Sequence, residues 1–579
     1  MASMAAWQLA GIGASPGIAI AKACRLQEEH YVPAPDKAAD ASIESARFRQ
    51  AVEEARTELE RIRRQTEERM GAAKAEIFEA HLLLLDDPDL IDAVIDKIEQ
   101  EGVTASFALY EVSHFFIEAL NAMDDELLRE RASDVRDVAG RIMSRLRGVS
   151  YAAVSAITEP CVLIARDLTP SDTAQLQPGI VLGFVTEVGS RTSHSAIMAR
   201  SLELPAIVGV GEALANVNTG SWIVMDASEG VVLVDPSEAE LALYQARKAA
   251  YEQRRAELRR LIDQPTYSRD GHRVELAANI GSVEDLQKVL ENGAEGVGLF
   301  RTEFLYMGRN TLPSEEEQFR VYKHVLERMN DKPVVIRTLD IGGDKELPYM
   351  KLPSESNPFL GLRAVRLCLS QPELFRTQLR ALLRASVFGQ LKIMFPMIAV
   401  VEELREAKRL LEEEKAKLAG EQIAVSDRIE IGIMIEVPAA ALAADELAKE
   451  ADFFSIGTND LIQYTMAADR MNENVSYLYQ PCHPSILRLV RMVIQAAERE
   501  GRWVGMCGEM AGDETAIPLL LGLGLHEFSM SAGSILPARA LIQRLSRREW
   551  IDFADQALSL GSHQRIREFV QQKTGSEET

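Results

Sequence analysis

The chain has 579 residues, of which 47% are hydrophobic, and a formal net charge of -24 at pH 7. This length exceeds what one hydrophobic core supports, so we expect two or three domains. The negative charge disfavours binding to the phosphate backbone of nucleic acids and favours a basic protein partner.

The five cysteines have no paired spacing, which argues against disulfides and a zinc site and indicates a reducing compartment. The N-terminus has no Lys or Arg before a short apolar stretch that Gly and Pro interrupt. Neither a secretory signal nor a membrane span is therefore expected there. We predict a cytoplasmic protein.

The first half of the chain combines helical and β-rich patterns. Residues 37–148 carry apolar side chains three and four apart, which predicts a helical bundle. Short β-rich runs flank this bundle, so it is predicted to be inserted into a small α/β domain of residues 1–36 and 149–236. Residues 237–264 are charged and contain no Gly, which is typical of a solvated linker helix.

Residues 265–579 alternate short strand candidates with helical patterns. Eight such units favour a (β/α)8 TIM barrel, because eight parallel strands in an open sheet would leave exposed edges. The predicted strands are 274–278, 296–300, 334–336, 391–395, 431–435, 453–456, 503–506 and 527–530.

Polar residues follow the predicted strands, where barrel active sites are built, whereas the strand interiors are apolar. Arg, Glu, Asp and Asn side chains that converge there predict a site where an anionic ligand is held by cationic side chains and a hard metal ion. The residues are Asn279, Arg301, Arg337, Asp340, Glu436, Asn459, Asp460, Cys507 and Glu509.

Glu436 and Asp460 follow neighbouring predicted strands, so their carboxylates are predicted to hold Mg²⁺ rather than to form ordinary surface salt bridges. Arg301 and Arg337 offer planar forks for phosphate oxygens. Cys507 is a candidate proton donor, although inert packing is the more common role of a lone Cys.

Arg363 and Arg470 are two further candidates for binding phosphate.

The segment Gly-Ser-Arg-Thr-Ser-His-Ser at residues 189–195 follows a predicted strand and precedes a helical run. Thr192 or Ser193 is expected to cap that helix, which leaves His194 in its first turn. Backbone donors and the helix dipole favour a phosphoryl group at this place.

These motifs resemble Enzyme I of the bacterial phosphoenolpyruvate (PEP)-dependent sugar phosphotransferase system, over essentially the whole chain. The resemblance depends on long strings of residues around the candidate site residues. They occupy residues 191–194, 197–209, 298–307, 337–345, 432–438, 455–461 and 505–511.

The resemblance implies a homodimer, joined through its barrels, that transfers the phosphoryl group of PEP to Nε2 of His194 and then to the carrier protein HPr. The bundle would dock HPr, Thr173 would orient His194, and Cys507 would protonate the enolate. Mg²⁺ would be held by Glu436 and Asp460. PEP would be held by Arg301, Arg337, Arg363, Asn459 and Arg470.

The chain departs from the familiar phosphohistidine loop at Ser190, Ser195 and Ala196, which leaves the detailed structure of the loop open.

Four alternative functions also remain. A pyruvate phosphate dikinase or PEP synthase would need a nucleotide-binding domain before the histidine domain. A Mg²⁺-dependent barrel lyase would leave His194 idle, and a regulatory carrier-binding protein would tolerate loss of the metal pair. A nitrogen-regulating paralogue would carry an extra N-terminal sensory domain.

Overall fold

The computed structural model describes residues 7–26, 31–70, 72–122, 126–149, 154, 157–190, 193–307, 309–343, 347, 349–350, 355–470, 472 and 474–576. The chain forms two compact units, Met1–Arg255 and Ala256–Thr579. Within the described ranges, no helix combines the length and the apolarity that a bilayer span requires.

In its described residues, the first unit contains a bundle of five helices. They are α1 (Ala41–Met70), α2 (Ala72–Leu84), α3 (Pro88–Glu101), α4 (Ala105–Asn121) and α5 (Glu126–Arg147). Apolar side chains at helical spacing form a shared core that includes Phe48 and Ile142. The start of α3 is fixed by Asp87, whose side chain accepts a hydrogen bond from the Asp89 backbone.

The rest of the described part of this unit is a mixed eight-stranded sheet with two short helices and most of a third. The strands are β1 (Trp7–Ala10), β2 (Ile12–Ser15), β3 (Ile18–Arg25), β4 (Cys161–Ala165), β5 (Val181–Thr186), β6 (Ala206–Val208), β7 (Trp222–Asp226) and β8 (Val231–Val234). The helices are α6 (Pro170–Ala174), α7 (His194–Ser201) and α8 (Glu238–Arg259). Strands β3 to β6 run parallel, and α7 packs on their face through Ala196 and Ala199.

Strands β1 and β2 are separated only by Gly11, yet they lie at opposite ends of the strand order β1-β8-β7-β3-β4-β5-β6-β2. β1 pairs antiparallel with β8, and β2 pairs antiparallel with β6. One residue spans only about 3.5 Å, so the sheet must curve until its two edges meet. A single interrupted N-terminal strand thus completes both edges.

The second unit is a closed barrel of eight parallel strands surrounded by helices. The strands are β9 (Glu275–Ile280), β10 (Gly296–Phe300), β11 (Pro333–Arg337), β12 (Gln390–Phe395), β13 (Glu430–Ile435), β14 (Phe453–Ile456), β15 (Trp503–Met506) and β16 (Glu527–Met530). The helices are α9 (Asp285–Glu291), α10 (Glu315–Met329), α11 (Ala364–Ser370), α12 (Pro372–Ala385), α13 (Val401–Gly420), α14 (Pro438–Leu442), α15 (Ala444–Leu447), α16 (Thr458–Met466), α17 (Pro484–Arg499), α18 (Ala516–Leu523), α19 (Ala532–Arg544), α20 (Arg547–Ser559) and α21 (His563–Ser576).

The predicted fold class is confirmed: a small α/β domain with an inserted helical bundle is followed by a TIM barrel. All eight predicted barrel strands are present. β6 escaped prediction, because the three residues Ala206–Val208 are too few to show a periodic pattern. The boundaries of the separate domains stay a prediction, since the bundle and the sheet form one compact unit.

The N-terminal ends of the barrel strands carry an ionic layer, where only apolar strand interiors were expected. Glu275 and Glu527 are register partners on the neighbouring strands β9 and β16. Glu527 is 4% exposed, and one carboxylate oxygen of each residue has no hydrogen-bond partner in the described part of the chain. Lys392 and Glu430 pair nearby at 3.2 Å. Burial, followed by repulsion from Glu275, raises the pKa of Glu527 to about 8.

This layer makes barrel stability depend on pH. A carboxyl group whose pKa is higher in the folded than in the unfolded protein stabilises the fold at low pH, and this contribution is lost as pH rises towards 8. Glu527→Gln should make this loss smaller, and at pH 8 the variant should be more stable than the wild type by on the order of 2 kcal/mol. Chemical denaturation between pH 5 and pH 9 measures the difference.

Glu412→Gln, which changes an exposed residue of α13, is the matched control and should keep the wild-type pH dependence. If the Glu527 variant lost stability with pH as steeply as the wild type, the buried carboxyl would not be the cause.

Candidate active site

Two buried arginines at the carboxyl end of the barrel share one carboxylate. Arg337 ends β11, and Arg363 directly precedes α11. Oδ2 of Asp340 lies 2.9 Å from Nη1 of Arg337, and its Oδ1 lies 3.0 Å from Nη2 of Arg363. The arginines are 5% and 3% exposed. Burial opposes their charge, but the neighbouring carboxylates outweigh it and raise the pKa of both guanidinium groups.

Two further side chains, which no sequence pattern singled out, complete this pair. Glu303 accepts hydrogen bonds from Nη2 of Arg337 at 2.8 Å and from the backbone of Asp340 at 3.1 Å. Oη of Tyr464 accepts from Nη1 of Arg363 at 3.1 Å and donates to a backbone carbonyl in the loop before α11. Glu303 lies within one of the motif strings, so a signal for it existed; Tyr464 lies in none.

Glu436 and Asp460 meet beside these arginines. Glu436 follows β13, and Asp460 lies in the first turn of α16, which follows the neighbouring strand β14. Glu436 is 1% exposed, and its Oε1 accepts a hydrogen bond from the Met397 backbone at 2.6 Å. Oδ2 of Asp460 lies 3.6 Å from Nη2 of Arg363. Burial, followed by repulsion from Asp460, raises the pKa of Glu436 to about 8.

The charges of this site fit a divalent cation. The carboxyl groups of Glu303, Asp340, Glu436 and Asp460 outnumber the two buried guanidinium groups beside them, so a cation near Glu436 and Asp460 would favour their ionised forms. Oxygen ligands of this kind suit a hard cation. Among the described residues, no group of three or more His, Cys, Asp or Glu side chains is placed to hold a metal. An ion at Glu436 and Asp460 would therefore need further ligands from substrate and water.

Cys507 follows β15 and is 3% exposed. Burial raises the pKa of its thiol to about 11, so the thiol keeps its proton at neutral pH. The positive charges of Arg337 and Arg301 oppose this rise in pKa, and the charge of Glu436 adds to it. A protonated thiol at this place has the chemistry of an acid rather than of a nucleophile.

The other predicted PEP ligands lie at the same end of the barrel. Arg301 follows β10 and is exposed. Asn459 lies in α16, where its Oδ1 accepts a hydrogen bond from the Glu509 backbone at 3.1 Å. Arg470 follows α16 and is half-buried. Their contacts with a ligand stay a prediction.

The predicted phosphohistidine loop belongs to the first unit. α7 begins at His194, and Ser193 caps it by accepting a hydrogen bond from the Ala196 backbone at 3.4 Å. The side chain of His194 lies outside the described residues. Thr173 is buried in α6, which contacts α7. Its hydroxyl donates to carbonyls of its own helical turn, at 2.9 Å to that of Pro170, so its role in orienting His194 stays a prediction.

Comparison with protein families assigns a class to this fold and site. Three models of PEP-utilising enzymes match consecutive parts of the chain: the N-terminal domain at residues 10–131, the mobile domain at 157–230 and the PEP-binding domain at 255–547. The chain is thus a PEP-utilising enzyme.

Curated relatives define the family more closely. A phosphoenolpyruvate-protein phosphotransferase of Priestia megaterium is 58% identical over 97% of this chain and 98% of its own length. Proteins of the same name from Bacillus subtilis and Staphylococcus carnosus are 57% and 56% identical, each over 98% of this chain and 99% of their own length. The chain belongs to the phosphoenolpyruvate-protein phosphotransferase family.

Proposed function

We propose that this phosphotransferase carries the phosphoryl group of PEP on His194 to the histidine carrier protein HPr, in the cytoplasm, and so starts sugar uptake. The observation that carries the proposal is the barrel mouth, where two buried arginines, a pair of carboxylates and a protonated thiol meet. Phosphoryl transfer needs such positioning and charge compensation more than covalent help from the protein.

In the first step, Nε2 of His194 attacks phosphorus, and the bond between phosphorus and the enol oxygen of PEP breaks. Arg301, Arg337 and Arg363 compensate the charge on the phosphoryl oxygens. The enolate leaves and takes the thiol proton of Cys507 at its methylene carbon, which yields pyruvate. In the second step the phosphoryl group passes from His194 to a histidine of the carrier.

Mg²⁺ is the cation that we propose for Glu436 and Asp460, where it would compensate charge on the carboxylate and phosphate of PEP. Asn459 and Arg470 are proposed to complete the PEP site from the barrel rim, and Thr173 to orient His194. The homodimer is proposed on the family resemblance alone.

The bundle is the proposed docking site of the carrier. It exposes large apolar side chains, with Leu83 70% and Phe115 69% exposed. Two acidic residues of the bundle form ion pairs within it, since Asp86 pairs with Arg56 and Glu79 with Arg63. Apolar contact is therefore expected to contribute to docking beside charge.

The proposal is tested with PEP that carries a radioactive phosphoryl group. With Mg²⁺, the wild-type chain should take up acid-labile, base-stable label, and His194→Ala should take up none. His114→Ala removes an exposed histidine of the bundle as the matched control and should be labelled normally. Label that persists in the His194 variant would refute the assignment, and labelling from ATP would favour a dikinase.

A further inference from the structure

We propose that Asp340 is a positioning residue of the PEP site, which sets the orientation of Arg337 and Arg363 before the ligand arrives. The inference rests on the proposed function. It goes beyond the predicted ligands, because Asp340 acts on the two arginines and not on PEP itself.

Asp340 is the only side chain among the described residues that is paired with both arginines. It is 1% exposed and lies three residues after Arg337. Arg363 comes from a different loop, which precedes α11. Asp340 accepts from Nη2 of Arg363 at 3.0 Å and from Nε at 3.3 Å, so the plane of this guanidinium is fixed by two donors. One carboxylate therefore joins two loops of the barrel mouth.

The burial of the two cations makes this bridge necessary. Two guanidinium groups at 5% and 3% exposure receive little screening from water and repel each other. A carboxylate between them cancels the repulsion and gives each fork a defined direction. Hydrogen-bond donors that are already fixed bind a phosphoryl group better than mobile ones, because no further conformational entropy is lost when the ligand binds.

Each of the two arginines also forms a hydrogen bond with a second side chain besides Asp340. Glu303 binds Nη2 of Arg337 at 2.8 Å and the backbone N–H of Asp340 at 3.1 Å, which ties the bridge to the end of β10. Tyr464 binds Nη1 of Arg363 at 3.1 Å. Each arginine thus has an outer partner, and Asp340 is common to both.

The test compares Asp340→Asn with Asp340→Glu and Tyr464→Phe in the full-length chain. The amide keeps the shape but loses the charge, so KM for PEP should rise roughly 30-fold. Asp340→Glu restores the charge and should recover part of the loss, and Tyr464→Phe should raise KM about threefold. A variant that merely folds less well supplies fewer active molecules, which lowers kcat and leaves KM unchanged.

Transfer from phosphorylated carrier back to His194 does not use the PEP site, so all three variants should retain it, and thermal unfolding reports the folded fraction. A KM for PEP within twofold of the wild type in Asp340→Asn would overturn the positioning role of Asp340. Absence of PEP-derived label in the wild type itself would instead refute the proposed function.

Discussion

Replacing Glu436 with glutamine is expected to lower the rate of PEP-dependent phosphorylation by about a thousandfold and to stabilise the metal-free protein. The amide oxygen still accepts the hydrogen bond from the Met397 backbone. Burial and Asp460 disfavour the ionised form of this carboxyl group, and a neutral amide removes the resulting loss of stability. Activity falls because a neutral amide is a poor ligand for a hard divalent cation.

Thermal unfolding separates these two effects. In the presence of a chelator, Glu436→Gln should be more stable than the wild type by about 1 kcal/mol. Added MgCl₂ should raise the melting temperature of the wild type and leave that of the variant unchanged. Glu412→Gln, exposed on α13, should follow the wild type in both buffers. A variant that unfolds earlier than the wild type in chelator would contradict the unfavourable environment of the Glu436 carboxylate, and full activity would contradict the metal assignment.

Replacing Gly293 with alanine is expected to destabilise the barrel unit by roughly 4 kcal/mol. Gly293 has a φ of +66°, and a Cβ atom there would lie 2.1 Å from the carbonyl oxygen of Ile262. The backbone has little freedom to move away. Nη1 of Arg539 donates to that same carbonyl at 3.1 Å, and its Nη2 donates to the Gly293 carbonyl at 2.6 Å. The added methyl group would therefore separate the segment after α8 from the barrel.

Gly501→Ala provides a matched control. Gly501 has the same φ of +66°, but no described atom lies within 4 Å of its Cβ position, so only backbone strain of about 1 kcal/mol remains. Calorimetry should show the barrel transition lowered by roughly 8 °C or more in the Gly293 variant and by about a quarter of that in the control. Equal losses in both variants would mean that the contact with Ile262 yields easily.

The barrel was predictable from sequence because its strands are short, mainly apolar runs, most of which lead into a polar residue. This pattern also identified Arg337, Glu436, Asp460 and Cys507, which the structure brings to one end of the barrel. The partners of these residues were harder to find. Tyr464 reaches Arg363 only because the curvature of the barrel brings α16 next to the loop before α11.

The ionic layer at the other end of the barrel escaped prediction for a similar reason. Glu275 and Glu527 are the first residues of their strands, where a charged side chain usually faces water. They become register partners only when β16 pairs with β9, the step that closes the barrel. A contact formed by closure leaves no trace in local sequence spacing.

The N-terminal strand interrupted at Gly11 pairs with strands at both ends of the sheet order in the first unit. A free sheet edge offers unpaired backbone groups to a second molecule, and such edges seed aggregation. Because β1 covers β8 and β2 covers β6, one short segment shields both flanks at once. Proteolytic removal of residues 7–15 would therefore expose the edges of β8 and β6 in a single event, and is expected to let the sheet pair with other copies of the chain.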